Sequence, residues 1–520
     1  MAFKTLDKTG YKLYTDGQIA IVFYKTDPDP ESLAYLDVSN ASRINPKEDE
    51  LLLERLLRKS DSFLGESSKL YMAKEAIEKG AGIDELKKIF EKEGNERARS
   101  ALSKIVNVLG HANIMEQSHA LVAIVMPILQ AMEMQDETFI ASQERSTRYV
   151  RFDEYYIPES IASNSNALEI YKEAIEKLDN AYKLAMQAME KKLAQAYANE
   201  HGKEPSEEYM KNVIEPNSRD IARALLPASK MTVVFFSTNA KSFERLTKKM
   251  LASTNPISRI VGEGLKQAIE ENMPSFAKHL APDEFEKVYY ANVRKFNVSN
   301  DEPKIISYDG EKVSLYGTSE DELLKEIAKI AGIEDDKVLN YITEITSHRQ
   351  SKHDTLNRTI FGVGSLLFEI DISMGSLRDL QRHRDTIKNY EISDGTYYLP
   401  SILIESEAFQ SVKEAIANAA RARKALASMG LVEEAKLLLP LATSAKFYMQ
   451  MGLGEAIYIV ENRSTKEAHP EYYGIAKKMK RALDEKYPNI MKSIRHFVGE
   501  EETARQNKEG LENVNKEYLF

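Results

Sequence analysis

Gln381-Arg382-His383-Arg384 sets two guanidinium groups on either side of one imidazole within three residues. Arginine offers planar donors that match phosphates and pyrimidine carbonyls, and its charge does not titrate near neutrality. The run reads either as an anion or nucleotide site or as a solvated helix end whose cations favour the C-terminal dipole. Few other chemistries are open to this chain. Cysteine is absent, which removes disulfides, thiolate metal sites and cysteine nucleophiles. There is no Gly-rich phosphate loop, no His-Glu-x-x-His and no zinc spacing, and His348, His353 and Asp354 make only a loose metal grouping. No metal site is expected.

The 520 residues suffice for two or more domains. A net charge of -10 argues against nonspecific nucleic-acid binding while leaving room for a local basic pocket. The start, Met1-Ala2-Phe3-Lys4-Thr5, has no apolar signal region and no run approaches a membrane span. A cytoplasmic chain without membrane partners is expected.

The elements that must position the chemistry follow from hydrophobic periodicity. A β-rich start holds the apolar run Gln18 to Tyr24, and helical spacing runs from Glu48 to about Val108. The apolar stretch Ala120 to Met134 is open between helix and buried strand. A long charged helix is predicted from Ala167 to about Glu200, and another after Lys241 to about Ala281. A junction near 281–301 precedes Lys304 to Tyr308 and Lys312 to Tyr316, and the intervening Asp309-Gly310 predicts a hairpin. Helix is expected over Asp321 to Ala331, and Leu366 to Ile372 reads as a strand just before the Arg-His-Arg run.

Two marks recur in order. Tyr155-Tyr156-Ile157-Pro158 returns as Tyr397-Tyr398-Leu399-Pro400, offset by 242. Ala224-Leu225-Leu226-Pro227 returns as Leu437-Leu438-Leu439-Pro440, offset by 213. The first copy therefore carries extra residues between the marks, placed around Lys191 to Lys211. The paired tyrosines are expected in the core.

Both halves resemble flavin-dependent thymidylate synthase, whose signature is Arg-His-Arg followed by Ser-x-Arg-Tyr. Arg382-His383-Arg384 stands in the second half, which continues Asp385-Thr386-Ile387. Glu144, Ser146, Arg148 and Tyr149 stand in the first, which reads Asp136-Glu137-Thr138 where Arg-His-Arg belongs. The first half also holds His111 and Glu116, Arg223 before Pro227, and Asn239-Ala240-Lys241-Ser242, similar to the family's Asn-Ala-Arg-Ser. It has Met250 where the family places an arginine against the pyrimidine; the second half keeps Arg463 there, with Lys436 and Gly452 replacing the nucleotide arginine and the asparagine.

The resemblance implies an α+β fold of two tandem diverged copies, residues 1-295 and 296-520, each helix-rich with a small twisted sheet. In the family, sites form between subunits of a tetramer. The two halves here keep complementary sets, which implies one composite site per pair of halves and a homodimer imitating the tetramer. The implied activity is reductive methylation of dUMP to dTMP, using FAD, with NADPH and methylenetetrahydrofolate as co-substrates. Glu144, Ser146, Arg148, Arg223 and Arg382 would hold the nucleotide, and Arg463 would stabilise negative charge on the pyrimidine. His111, Asn113, Glu116, Asn239, Lys241, Arg245, Thr359, His383 and Arg384 would line the flavin. The alternative is a degenerate relative that binds a flavin or nucleotide, or a scaffold.

Overall fold

The computed structural model describes residues 3–26, 30–31, 80, 102–104, 106–107, 112–137, 139–147, 154–293, 296, 298–464 and 469–498. Nearly all of the expected helical region 48–108 lies outside these residues, as do His111 and Arg148. The chain forms two compact units, Met1–Arg145 with Met231–Asn292 and Ser146–Lys230 with Val293–Phe520. This partition cuts across the linear division at 295, because 146–230 packs with second-copy residues.

In the first unit the strands are β1 (Lys4–Asp7), β2 (Tyr11–Thr15), β3 (Ala20–Tyr24), β4 (His119–Pro127), β5 (Ile140–Glu144) and β6 (Met231–Asn239). They form an antiparallel sheet in the order β1-β2-β3-β4-β6-β5. The stretch left open at 120–134 is both structures in turn. β4 ends at Pro127, which has no N–H to donate, and helix Ile128–Gln135 follows. In the second unit β7 (Lys304–Ser307), β8 (Val313–Gly317), β9 (Leu366–Ser373), β10 (Ile387–Leu399) and β11 (Thr443–Met451) take the order β7-β10-β11-β9-β8. The run β3-β4-β6-β5 and the run β8-β9-β11-β10 have one topology, so each copy builds the same sheet core. The fold is α+β, two tandem copies.

The hairpin expected at Asp309-Gly310 does not form. β7 pairs in parallel with β10, and β8 pairs antiparallel with β9, at the opposite edge of the sheet. A short 3-10 turn, Tyr308–Gly310, joins them. Tyr308 is buried at this turn, and that burial outweighs the local Asp-Gly preference.

Helix Ser165–His201 explains the partition into units. Asn164 caps its start by accepting from the Ala167 amide at 3.1 Å, and left-handed Gly202 ends it. Ala174, Leu178, Ala181, Ala185 and Ala188 share one face, three or four residues apart, and are buried. Leu178, Ala181, Ala185 and Ala188 form one core with Val412, Ala415, Ile416 and Ala419 of helix Phe409–Ser428. Small side chains on both faces let the backbones approach closely. The first copy's helix has 37 residues and the second's 20, so it extends by several turns beyond its counterpart.

The Leu-Leu-Pro marks meet directly. The Ala228 amide donates to Leu439 O at 2.8 Å and the Leu441 amide to Leu226 O at 2.9 Å. The Ser229 amide donates to Leu437 O at 2.8 Å and the Ala442 amide to Ala224 O at 2.7 Å. Each bond has its counterpart at an offset of 213, so the two turns are related by a local, approximate two-fold. Tyr156, Tyr397 and Tyr398 are core residues, while Tyr155 is half-buried beneath the Lys230 ammonium, 3.7 Å from its ring centre. No described helix is long and apolar enough to cross a membrane.

Candidate active site

Three helix ends in the second unit deliver the charged residues. Ser373 caps helix Met374–Leu380 by accepting from the Ser376 amide at 3.2 Å, and the helix runs into Arg382 and His383. Helix Glu215–Ala222 tightens into a 3-10 turn that begins with Arg223. Helix Leu453–Arg463 ends on Arg463. The three meet at Asp379, one turn before Arg382. Arg223 Nη2 donates to Asp379 Oδ2 at 2.8 Å, and its Nη1 lies 3.2 Å from Asp220 Oδ1. Arg463 Nη2 donates to the Asp379 carbonyl at 3.3 Å, and its guanidinium lies over the Tyr472 ring, 5.4 Å from the centre. Arg223, Asp220 and His383 are buried, Arg463 is half-buried, and Arg382 and Arg384 are exposed. Burial works to raise the Asp379 pKa, but the charges of Arg223, Arg382 and Arg463 override it. The carboxyl is held well below the usual range.

His383 lies along the last of these helices. Arg463 Nε donates to His383 Nε2 at 3.0 Å. A guanidinium has no acceptor, so Nε2 is the unprotonated nitrogen of the ring and the proton is on Nδ1. Nδ1 lies 3.5 Å from Glu455 Oε1, in the first turn of the same helix. Burial, then the charges of Arg463 and Lys388, push the His383 pKa far down, so the ring is neutral.

His469 ties the first-copy residues in place. It is buried, with Nε2 3.2 Å from the Asp220 carbonyl and Nδ1 3.3 Å from Ser376 Oγ. Beside it, Glu471 accepts from the Ser373 amide and hydroxyl at 2.5 Å each and from the Ser376 hydroxyl at 2.6 Å. Burial, then the Glu471 charge, pushes the neighbouring Glu311 carboxyl far above the usual carboxylate range. Glu311 therefore takes up a proton on folding at neutral pH. A raised carboxyl favours the folded state less as pH climbs above its unfolded value of 4.5. Glu311→Gln keeps a donor and removes this cost. It should raise unfolding stability at pH 7 by up to about 3 kcal/mol, and by little at pH 4, in urea titrations.

The structure brings Arg223, Arg382, His383 and Arg463 together in the second unit. Thr359 lines a cleft of about 560 Å³ there, with Arg358, Lys329, Gly362 and Gly364. Ser146 is a half-buried loop residue of the same unit. Glu144, Asn113, Glu116, Asn239, Lys241 and Arg245 lie in the other unit. Glu144 is buried there and accepts from Gln135 Nε2 at 2.8 Å. Asn239 caps helix Ala240–Ala252 by accepting from the Ser242 amide at 2.8 Å. Lys241 is 3.4 Å from Glu244, and Arg245 pairs with Glu137.

The first copy's counterpart of the Arg-His-Arg region is charge-inverted. Asp136 pairs with Lys249, and Glu137 with Arg245. The Arg463 counterpart, Met250, is fully buried. An anionic ligand there would face two carboxylates, Asp136 and Glu137, in place of the Arg382 guanidinium and the His383 imidazole. The second copy is closed in a different place. A Cβ at Gly452 would stand 2.8 Å from Gly362 O, so no asparagine fits at the start of helix Leu453–Arg463 without backbone movement. The Leu453 amide is already taken by Val363 O at 3.0 Å.

Reading motifs alone missed Asp379, Asp220 and Glu455. Asp379 had a signal, an acid three residues before an Arg-rich run and so one helical turn away. Asp220 and Glu455 had only the helix spacing to Arg223 and to Gly452.

A family model described as "Thymidylate synthase complementing protein" matches residues 62–263 and again 306–489. A UPF0159 protein of Thermoplasma acidophilum is 22% identical over 485 residues, covering 84% of this chain and 96% of its own length. A UPF0159 protein of Chlamydia muridarum is 22% identical over 443 residues, covering 79% of this chain and 83% of its own. The solved structure of a UMP/dUMP methylase, PolB from Streptomyces cacaoi bound with 5-Br UMP, covers 37% of this chain and 96% of its own at 17% identity and a TM-score of 0.31.

Proposed function

The chain belongs to the thymidylate synthase complementing protein family, and on that premise we propose that it is a FAD-dependent thymidylate synthase. It methylates dUMP to dTMP with methylenetetrahydrofolate, at a composite site built from both copies. One observation carries this reading: Arg223 of the first copy and Arg382 and Arg463 of the second converge on Asp379. Arg382, with Arg223, supplies the cationic donors a nucleotide phosphate requires. Arg463 is held by His383 and the Asp379 carbonyl, pre-oriented to stabilise charge on a pyrimidine that has lost its N3 proton. Ser146 and Arg148 would complete the phosphate contacts.

The second-unit residues suit an anionic flavin nucleotide. The Thr359 cleft falls within the usual range for small-molecule sites, roughly 300–1,000 Å³, and is flanked by Arg358 and Lys329. Arg384 is exposed for such a contact. His383, Thr359 and Arg384 would hold the flavin on this side. Asn239, Lys241 and Arg245 are engaged by their own helix and by acids, so they would have to exchange those partners. FAD when bound, reduced by NADPH, would supply the reducing equivalents. His383 and Arg463 would orient the base, and a second chain would complete a homodimer.

A second reading is a catalytically degenerate binder or scaffold. The two carboxylates already occupying Arg223 favour it. A flavin absorbance spectrum of the purified chain, titrated with dUMP, separates the two. Bound flavin whose spectrum shifts on dUMP addition supports the enzyme. Protein that neither retains added FAD nor binds dUMP removes it.

A further inference from the structure

Glu455 stands where the first copy has Ser242, three residues after the helix-capping position in each. The substitution puts a carboxylate into the first turn of the helix that ends in Arg463, with the His383 ring between them. The Glu455 side chain is largely buried, its Oε1 3.5 Å from His383 Nδ1, while Arg463 Nε is 3.0 Å from His383 Nε2. Tyr458, one turn on from Glu455, closes one side of the ring edge-on, 6.0 Å between centres. The three groups form a line, carboxylate to imidazole to guanidinium, with every proton direction fixed. Arg463 can only donate, so Nδ1 must carry the ring proton, and Glu455 is the acceptor placed before it.

We propose that Glu455 is a positioning residue: its carboxylate accepts the Nδ1–H of His383, and the imidazole in turn holds the Arg463 guanidinium toward the nucleotide. The last step rests on the function proposed above. A carboxylate on Nδ1 makes Nε2 a better acceptor, in the way a carboxylate behind a metal-bound histidine raises its basicity. The line is weakened when Glu455 is protonated. Burial and the charge of Asp385 push the Glu455 carboxyl up to about 7, while Arg358 and Lys388 work in the opposite direction. Those three, with His383, are the charged and titratable groups that bear on Glu455 from the adjoining loop, short helix and strand. His383 itself stays neutral throughout, because burial, Arg463 and Lys388 hold its pKa far down. The contact between His383 and Arg463 therefore strengthens as pH rises through about 7.

The test uses the full chain carrying histidine labelled at 13Cε1. The chain has nine histidines, and His383→Asn identifies the resonance of interest. The His383 resonance should move between pH 6 and 8 with a midpoint near that of Glu455, by less than full ring protonation would give. In Glu455→Gln the ring should stay neutral and the movement should vanish. In parallel, dUMP affinity measured by calorimetry should tighten roughly fivefold from pH 6 to 8 in the native chain, about the worth of one net hydrogen bond. Glu455→Gln should lack that gain. The phosphate's own titration is common to both proteins and cancels in the comparison. A His383 resonance that is flat in the native chain, or that moves equally in Glu455→Gln, overturns the proposal. A resonance that responds as expected in a chain that never binds dUMP overturns the nucleotide function instead and leaves the Glu455–His383 contact supported.

Discussion

Arg463→Ala is expected to lower dUMP turnover by about 10²–10³-fold, the usual loss when one preorganised donor is removed from developing negative charge. The size follows from how firmly the guanidinium is held. Its Nε is fixed by His383, its Nη2 by the Asp379 carbonyl, and its face lies over Tyr472. Little reorganisation is left for the reaction to drive. The folding cost should be small, about 1 kcal/mol, because Arg463 is only half-buried and the acceptors it leaves are neutral. Arg463→Lys should not restore turnover, since an ammonium cannot reach both acceptors in one plane. Steady-state turnover beside calorimetric unfolding checks both halves. A variant that turns over within tenfold of the native chain would remove Arg463 from the reaction.

Arg223→Met is expected to act on the fold as well as on binding. Arg223 is buried between Asp220 and Asp379, and Asp379 comes from the other copy. Removing the cation leaves buried Asp220 and half-buried Asp379 without the charge they share, at a cost of about 3–5 kcal/mol at pH 7. The pH dependence gives the signature. Asp379 has a pKa below its ordinary 3.8, so its stabilisation is complete above that value and is lost as pH falls through the folded one. The difference between native and variant chains should therefore be largest at pH 7 and shrink as falling pH, between about 7 and 2, protonates the carboxylates. Urea unfolding across that range measures it. A constant difference down to pH 2 would show that the lost stability is packing and not the ion pair. Nucleotide binding should be lost in the same variant, and Asp379→Asn should retain more stability, because Asp220 still neutralises Arg223.

Much of the local structure was legible. The helix over Glu320–Ala331 carries a full capping box between Ser319 and Glu322, and β9 follows the alternation read at Leu366 to Ile372. The charged helix begins and ends within a few residues of its expected limits, because Asn164 and Gly202 are unambiguous stops. The failure at Asp309-Gly310 is instructive. A turn preference of this kind is worth little beside the burial of Tyr308 and the pairing of β7 with a strand more than eighty residues away. The expected charged helix after Lys241 is two helices, Ala240–Ala252 and Pro256–Asn272. Asn255 caps the second, and Pro256 cannot continue the first.

Residue order alone establishes that two copies of one fold are joined and that their charged residues are unequal. Motif and order are properties of neighbouring residues, and these survive without a structure. Which residues meet depends on packing between distant parts of the chain. Arg223 and Asp379 are 156 positions apart, and His383, Glu455 and Arg463 are drawn together by one helix and the loop lying on it. The tertiary structure also decided that first-copy residues 146–230 pack with the second copy, because the alanine faces of two helices and the paired Leu-Leu-Pro turns bury each other. Burial and charge compensation act between residues distant in the chain, and no spacing rule along the chain expresses them.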